Sequence, residues 1–276
     1  MSHSSHSSDI LSDGEAHIHP SWLSVLPQRE KPTFRVFRQL NHLDEVEGIS
    51  ARELCSLKAR VTEDKMSFFS GEHLPNQVVR VIIENRLMDL KEVIESFEFF
   101  QRVRRRISQR VIADLCCGHG LVGMLFALLE RRVEEVYLLD LEHPTSSYKL
   151  EHAFNQRWPW VSPKLNRLTR NVKGAAESLP ESLGVVAVHA CGARTDWAIQ
   201  VAVYKNAPLA VMPCCYAHQS YQGPETLKRH LGVNLCVDLE RIQSLHRLGY
   251  QVDWLEIPPE ITPKNRIIAA SPPRSS

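Results

Sequence analysis

A glycine turn directly after an apolar run constrains the fold of this chain more than any other feature. Residues 110–123 read RVIADLCCGHGLVG. The apolar run predicts a buried strand that carries Asp114 near its end, and the residues after the turn predict a helix over about 120–131. Gly118 and Gly120 have no Cβ, so the backbone can approach a ligand there, and the helix N-terminus offers free N–H groups. A strand, a glycine turn and a helix in this order predict a nucleotide-type binding site.

Strands and helices are predicted to alternate from residue 110 onward, which is the pattern of a parallel sheet. Apolar runs predict strands at 110–116, 135–140, 165–172, 184–190 and 208–212. Helices are predicted at 146–157, 195–204 and 237–248. Two last strands, 252–257 and 266–270, are too close in sequence for a parallel crossover, so we expect them to be antiparallel. Together these elements predict an α/β fold with a Rossmann-like, seven-stranded sheet, which is the layout of class I methyltransferases.

The chain divides into three predicted regions. Residues 1–30 are rich in Ser, His, Asp and Pro without periodicity, which predicts a flexible N-terminal arm. Apolar residues recur at near-helical spacing over 75–108, so we expect 31–108 to be an N-terminal helical region. Residues 109–276 then form the domain that contains the sheet.

Composition narrows the setting in which the chain works. The net charge is +1, so no overall field draws the chain to nucleic acid or to a membrane. No apolar run is long enough to span a bilayer, and the polar first residues predict no signal peptide. The cysteines number seven, and several stand in apolar strands, which favours reduced thiols and a cytoplasmic location.

Two cofactors compete for the glycine turn. Gly118, Gly120 and Gly123 spell the dinucleotide fingerprint G-x-G-x-x-G, which would place a pyrophosphate at the helix N-terminus. Asp114 stands four residues before Gly118 and would repel such an anion. S-adenosylmethionine instead carries an ammonium group and a sulfonium sulfur, which a carboxylate attracts. Charge therefore favours S-adenosylmethionine, with a nicotinamide-dependent oxidoreductase as the alternative. Asp140 ends the second strand, where a carboxylate can bind a ribose diol, and Glu142 is a near rival for the same role.

Two further strand ends carry specific strings of polar residues and thiols. HACGARTD begins at His189, and MPCCYAH begins at Met212. Together with DLCCGHG, these strings resemble the motifs of methyltransferase-like proteins related to the eukaryotic tRNA 2′-O-methyltransferase of the acceptor stem. The resemblance covers about 110–270 and implies a class I fold that uses S-adenosylmethionine. It implies that the cofactor is held by Asp114, Gly118, Gly120 and Asp140, to which we add Cys116. It also implies that the loops of His189 and Cys214 line the pocket of the methyl acceptor.

Several residues of these strings are candidates for catalysis, and each has a structural alternative. His189 can act as a general base or can shape the cofactor loop through a hydrogen bond. Asp196 can act in catalysis or cap the following helix, and Tyr216 can stack on the acceptor or pack in the core. Cys191 and Cys214, with Cys215 and either His189 or His218, can form a zinc site, but the spacing favours small buried thiols. We therefore predict no metal.

The acceptor is predicted to be RNA, possibly tRNA. The resemblance favours it, and so does a set of basic residues that can flank the cleft: Arg157, Lys164, Arg167, Arg170 and Lys173. The near-neutral net charge keeps a protein or small-molecule acceptor open. A cofactor-binding protein without turnover is a further alternative.

Overall fold

A seven-stranded sheet organises the computed structural model, which describes residues 30–45, 50–56, 63–216 and 221–273. Its strands are β1 (Val111–Leu115), β2 (Glu135–Asp140), β3 (Leu165–Thr169), β4 (Gly184–Val188), β5 (Leu209–Met212), β6 (Gln251–Glu256) and β7 (Arg266–Ser271). They lie in the order β3-β2-β1-β4-β5-β7-β6. The strands β1 to β5 are parallel, and β7 is antiparallel to both β5 and β6. This order confirms the predicted seven-stranded, Rossmann-like class I methyltransferase fold.

Helices cover both faces of the sheet. After the N-terminal helices α1 (Ala51–Ser56), α2 (Leu74–Glu84) and α3 (Leu90–Val103) come α4 (Leu121–Leu129), α5 (Thr145–Arg157), α6 (Ala193–Tyr204), α7 (Glu225–Leu231) and α8 (Val233–Arg247). Alternate strand residues enter two separate cores: Ile112 lies in one and Ala113 in the other. The central strands β1, β4 and β5 are apolar except for Asp114, because helices bury both of their faces.

The N-terminal helices pack against the sheet domain through aromatic rings. Phe100 of α3 lies edge-to-face on Phe126 of α4, with ring centroids 4.9 Å apart. Phe37 makes edge contacts with Phe69 and Phe97, each at 5.3 Å. The described residues from Pro32 onward form one compact unit. Helix α3 therefore belongs to the same compact body as the sheet.

A buried ion pair fixes α3 against the segment that precedes it. Glu98 and Arg102, one helical turn apart, are both almost fully buried and bonded to each other. The carboxylate of Glu98 also accepts hydrogen bonds from the backbone N–H groups of Arg35 and Val36. Arg102 donates to the carbonyl oxygens of Thr33 and Glu256. Each charge is thus compensated, as burial requires.

Two predicted features differ from the structure, and others fall outside it. The predicted helical stretch 75–108 is two helices, interrupted where Arg86 adopts a left-handed φ of 50°. Helix α7 was not predicted, because its seven residues bury no side chain and so show no apolar stripe. The N-terminal arm, except for its last residue, and His218 lie outside the described residues.

Candidate functional site

The turn after β1 is built from left-handed backbone. Cys116, Gly118 and Gly120 have φ angles of 57°, 52° and 81°. A Cβ on Gly118 would meet no atom within 4 Å, so this glycine borders open space. At Gly120 a Cβ would lie 3.2 Å from a methyl carbon of Leu138, so there the glycine also permits close packing on β2. Left-handed backbone favours glycine at both positions, since it has no Cβ to clash.

The carboxylate of Asp140 holds the turn from the neighbouring strand. Its Oδ2 accepts a hydrogen bond from the N–H of Gly118 at 2.8 Å, and its Oδ1 accepts from Leu141 at 2.7 Å. Asp140 is half-buried and lines the cavities described below. A carboxylate accepts about four hydrogen bonds, so capacity remains for two further donors such as ribose hydroxyls.

Asp114 lies deeper, at the base of the same turn. Its side chain is 2% exposed, and Oδ2 accepts a hydrogen bond from the N–H of Gly123 at 2.8 Å. Burial raises the pKa of Asp114 to about 7, and the charge of Asp140 adds to this, while the bond from Gly123 opposes it. Carboxylates therefore already occupy the N–H groups of Gly118 and Gly123. A dinucleotide pyrophosphate would need such donors, so this arrangement favours a cationic ligand group.

Two adjoining cavities open at the carboxyl ends of the strands, where ligands of doubly wound sheets bind. The first has a volume of about 260 Å³ and the second about 450 Å³. Both are lined by Cys116, Asp140 and Arg194, so they form one crevice. Side chains that line only the first include Met88, Glu92, Ser96, Asp114, His119 and His189. Side chains that line only the second include Arg170, Asn171, Cys191 and Trp197.

Helix α3 supplies one wall of the crevice, which sequence reasoning did not anticipate. Nε2 of His189 lies 2.7 Å from Oε2 of Glu95, a fully buried carboxylate. Nζ of Lys91 donates to the same oxygen at 3.0 Å. Glu92 faces His119, with Oε2 3.5 Å from Nδ1. The N-terminal helices therefore bring carboxylates to both histidines of the first cavity.

A signal for this wall is present in the sequence. Lys91, Glu95, Glu98 and Arg102 recur at helical spacing along α3, and the two carboxylates and Arg102 stand among residues that the apolar pattern assigns to the interior. Charged residues are rarely fully buried without a partner. Such a stripe therefore predicts ionic partners elsewhere in the fold, although it does not say which.

His189 sits on a strained bend after β4. Its φ is 60°, and its N–H donates to the carbonyl oxygen of Met212 at 3.2 Å. A left-handed φ outside glycine is uncommon and concentrates at functional sites. In the described part of the chain, the only hydrogen-bond partner found for its imidazole is Glu95. The second ring nitrogen is thus left to meet a ligand.

Asp196 and Tyr216 lie outside the lining of both cavities. Arg241 of α8 binds Asp196 through two hydrogen bonds, of 2.7 and 3.1 Å. The hydroxyl of Tyr216 donates to the buried carboxylate of Asp238 at 2.8 Å, and Arg266 binds the same carboxylate at 2.8 Å. Burial and the charge of Asp238 raise the pKa of Tyr216, against the influence of Arg266. These contacts favour a positioning role over the predicted catalytic one, because the network ties α6 and the loop after β5 to α8.

The three cysteines at the ends of β4 and β5 come together. The sulfur of Cys191 lies 3.1 Å from that of Cys214 and 3.4 Å from that of Cys215. Burial raises the pKa of the Cys191 and Cys214 thiols, and it raises that of Cys116 to about 12. Thiols with raised pKa values are protonated at neutral pH and are poor nucleophiles. The raised pKa values of Cys191, Cys214 and Cys116 therefore disfavour nucleophilic catalysis by these three thiols.

Comparison with known proteins identifies the domain that this crevice belongs to. Residues 88–222 match a family model described as a methyltransferase domain. Just under half of the chain is thus similar to a methyltransferase domain. The predicted methyltransferase class and S-adenosylmethionine as its cofactor are thereby confirmed, and the nicotinamide alternative is set aside.

Among curated proteins, the chain is similar to the glutathione S-transferase C-terminal domain-containing proteins of Homo sapiens and Macaca fascicularis. Each is 28% identical over a match that covers 32% of this chain and 19% of the relative. The match thus spans about a fifth of the length of these relatives.

Solved structures show distant similarity. An rRNA methylase from Streptococcus thermophilus is 12% identical, with a TM-score of 0.42, and the match covers 68% of this chain and 99% of that one. The methyltransferase domain of bacterial CtHen1-C is 13% identical, with a TM-score of 0.44, and the match covers 65% and 98%. The strand order, rather than these similarities, carries the fold assignment. Within the described residues, no helix has the length and apolar character needed to cross a membrane.

Proposed function

We propose that this chain transfers a methyl group from S-adenosylmethionine to a hydroxyl group of RNA. The observation that carries the proposal is the crevice in which Asp114 and Asp140 brace the glycine turn opposite a histidine–carboxylate pair. We propose the cytoplasm as its location, because a reducing compartment would keep its seven unbridged cysteines as thiols.

The two aspartates have different tasks in this proposal. Asp140 accepts from the ribose hydroxyls with the capacity that Gly118 and Leu141 leave free. Asp114 faces the cationic amino-acid end of the cofactor, and a nearby ammonium group would favour its ionised form. Gly118 lets the backbone come close to the ligand, because no side chain fills the space in front of it.

His189 and Glu95 provide the acid–base chemistry. When bound, the cofactor supplies an electrophilic methyl group on a sulfonium sulfur. The free ring nitrogen of His189 would take the proton that the acceptor hydroxyl loses when its oxygen receives the methyl group. Glu95 orients the ring through Nε2 and stabilises the imidazolium that forms. Arg194, which is exposed on the crevice wall, can orient the acceptor.

Basic side chains at the second cavity support an RNA acceptor. Arg170 and Arg194 are exposed and line this cavity, and Lys173 lies 5.7 Å from the ring of Trp197. Arginines bind phosphate oxygens, and an aromatic ring can stack on an unpaired base. The other three residues of the predicted basic set are engaged elsewhere: Lys164 donates to the carbonyl of Ala127, Arg167 pairs with Glu151, and Arg157 donates to Oε1 of Gln77.

A protein or small-molecule acceptor is the second candidate. The net charge of +1 favours it, since nucleic-acid-binding domains usually carry a clear basic excess. Both candidates share the cofactor site, so one labelling experiment separates them.

The experiment is methyl transfer from labelled S-adenosylmethionine in a cell extract treated with the purified chain. We expect label in the RNA fraction that disappears on ribonuclease treatment. Asp140→Ala should abolish the transfer, and Glu134→Gln, an exposed change in the ion pair with Arg110, should retain it. Label in protein or small molecules would establish the second candidate. No transfer by a folded wild-type chain to any fraction would contradict methyl transfer itself.

A further inference from the structure

Three thiols meet beside the crevice in a cluster that the proposed reaction does not use. The sulfur atoms of Cys191, Cys214 and Cys215 are separated by 3.1, 3.4 and 3.5 Å. They come from two loops, one after β4 and one after β5. Adjacent cysteines would face opposite ways in a strand, but the chain has left β5 at this point, and the Cys214 and Cys215 sulfurs lie 3.5 Å apart.

Backbone contacts hold the two loops in register, so the cluster does not depend on the thiols alone. The N–H of Gly192 donates to the carbonyl oxygen of Cys215 at 3.2 Å, and the N–H of His189 donates to that of Met212 at 3.2 Å. Gly192 also adopts a left-handed φ of 61°, directly after Cys191. The fold therefore positions the three sulfurs before any ligand binds.

The triangle of sulfurs is the right size for a metal ion. Zinc–sulfur bonds are about 2.3 Å long, which places the sulfurs of a tetrahedral site about 3.8 Å apart. A triangle with sides of 3.1 to 3.5 Å leaves a point above its plane that is about 2.3 Å from all three sulfurs. Only a small outward movement of the side chains is then needed for ideal angles.

We propose that Cys191, Cys214 and Cys215 together bind one Zn²⁺ ion through three thiolates. Thiolate-rich sites select zinc and other soft metals over magnesium or calcium. Among the described residues, the cluster includes no fourth His, Cys, Asp or Glu donor, so the fourth position is open to water or an exogenous ligand. This proposal replaces the sequence-based prediction of no metal, and it is independent of the methyl acceptor.

Charge and protonation set the conditions for binding. The side chain of Arg194, three residues after Cys191, is exposed and lines the second cavity together with Cys191. A metal ion deprotonates the thiols it binds, so zinc binding releases protons and strengthens as pH rises. Three thiolates on one zinc ion leave a net charge of −1, which Arg194 can partly balance.

The ion would fasten together two loops that wall the crevice. Cys191 lines the second cavity, and His189 lines the first only two residues earlier in the chain. Zinc would thus add a bond between the ends of β4 and β5 at the place where the proposed base is held. We expect zinc removal to lower the melting temperature, because a ligand that binds only the folded chain stabilises it.

The test is elemental analysis of the full chain, purified under reducing conditions and dialysed against a weak chelator. We expect one equivalent of zinc, and on replacement by Co²⁺ an intense visible absorption with a thiolate charge-transfer band in the near ultraviolet. The substitutions Cys191→Ser, Cys214→Ser and Cys215→Ser should each remove the zinc. The control is Cys236→Ala, a buried free cysteine of α8 that is outside the cluster and should leave zinc unchanged.

Three results would overturn the proposal. One is a folded wild-type chain without stoichiometric zinc that also takes up no Co²⁺. Another is zinc that persists in all three serine variants. The third is a Cys191–Cys214 disulfide in the reduced preparation, detected by mass spectrometry after alkylation. If a serine variant does not fold, protection of the three thiols from alkylation in the wild type, lost on adding a strong chelator, tests the same claim.

Discussion

At the scale of single residues, the buried carboxylate of Asp114 links stability to cofactor binding. Its pKa of about 7 lies above the ordinary value of 3.8, so the folded chain binds this proton more tightly than the unfolded chain does. The stability that the protonated form contributes is complete below pH 3.8 and is lost as pH rises through about 7.

Asp114→Asn is therefore expected to remove part of the pH dependence of unfolding. Between pH 5 and 8 the free energy of unfolding of the wild type should fall by on the order of 3 kcal/mol relative to the variant, since each of the pH units between 5 and the pKa of about 7 is worth about 1.4 kcal/mol. Asparagine retains an oxygen for the N–H of Gly123 but loses the charge that attracts the cofactor. Urea unfolding of both chains across this range measures the difference. Parallel pH curves, or a variant that binds cofactor as tightly as wild type, would contradict this role of Asp114.

The imidazole of His189 is predicted to act in catalysis. His189→Ala should lower kcat roughly 100- to 10,000-fold, the usual contribution of a general base. The affinity for S-adenosylhomocysteine should change little, because Asp114 and Asp140 hold that molecule. Glu95→Gln should lower kcat less and change its pH profile, since Glu95 acts through the ring. His152→Ala, on α5 next to Gln156, is the control. An unchanged kcat in His189→Ala would contradict the proposal that His189 is the general base.

At the scale of elements, the close approach of α4 to β2 requires a glycine within the helix. A Cβ on Gly123 would lie 2.5 Å from Cδ2 of Leu138 and 2.9 Å from Cγ1 of Val136. Gly123→Ala should therefore destabilise the fold by about 1–3 kcal/mol through overpacking, although alanine is the better helix former. The substitution should also weaken cofactor binding, because it would move the N–H group that donates a hydrogen bond to Asp114. A variant as stable as wild type in urea would show that α4 can shift without loss.

The network around α8 gives a contrasting prediction. Tyr216→Phe removes one donor to the buried carboxylate of Asp238 while Arg241 and Arg266 still bind it. We expect a loss of about 1–3 kcal/mol in stability, with kcat within a few-fold of wild type because Tyr216 lies outside the crevice lining. Thermal unfolding and initial rates on the same preparation measure both. A large fall in kcat without loss of stability would show that Tyr216 acts in catalysis after all.

At the scale of the whole molecule, sequence patterns predicted the sheet better than the site. The strand predicted at 135–140 has the observed bounds, because polar residues at both ends of an apolar run mark where the strand begins and ends. The antiparallel last pair also followed from the short connection between its strands. The bounds of a strand and the length of a connection both depend on local sequence, so the pattern of apolar residues is enough to predict them.

The contacts across the crevice could not be predicted in the same way. Glu95 meets His189 across 94 positions of sequence, and Asp238 meets Tyr216 across 22. No local pattern encodes such pairings, which arise only when α3 and α8 pack on the sheet. The thiol cluster is an intermediate case. Both cysteine motifs are visible in the sequence, but their spacing favours small buried thiols, and only the fold brings the two loops together.

Calorimetric titration of the full chain with S-adenosylhomocysteine tests the central claim most directly. We predict one binding site in the wild type, an affinity at least roughly 10-fold lower in Asp140→Ala from the loss of charge-assisted hydrogen bonds, no change in Glu134→Gln and no heat with NAD. A folded wild-type chain that binds no S-adenosylhomocysteine, or an Asp140→Ala variant that binds it equally well, would contradict the assignment of this crevice as the cofactor site.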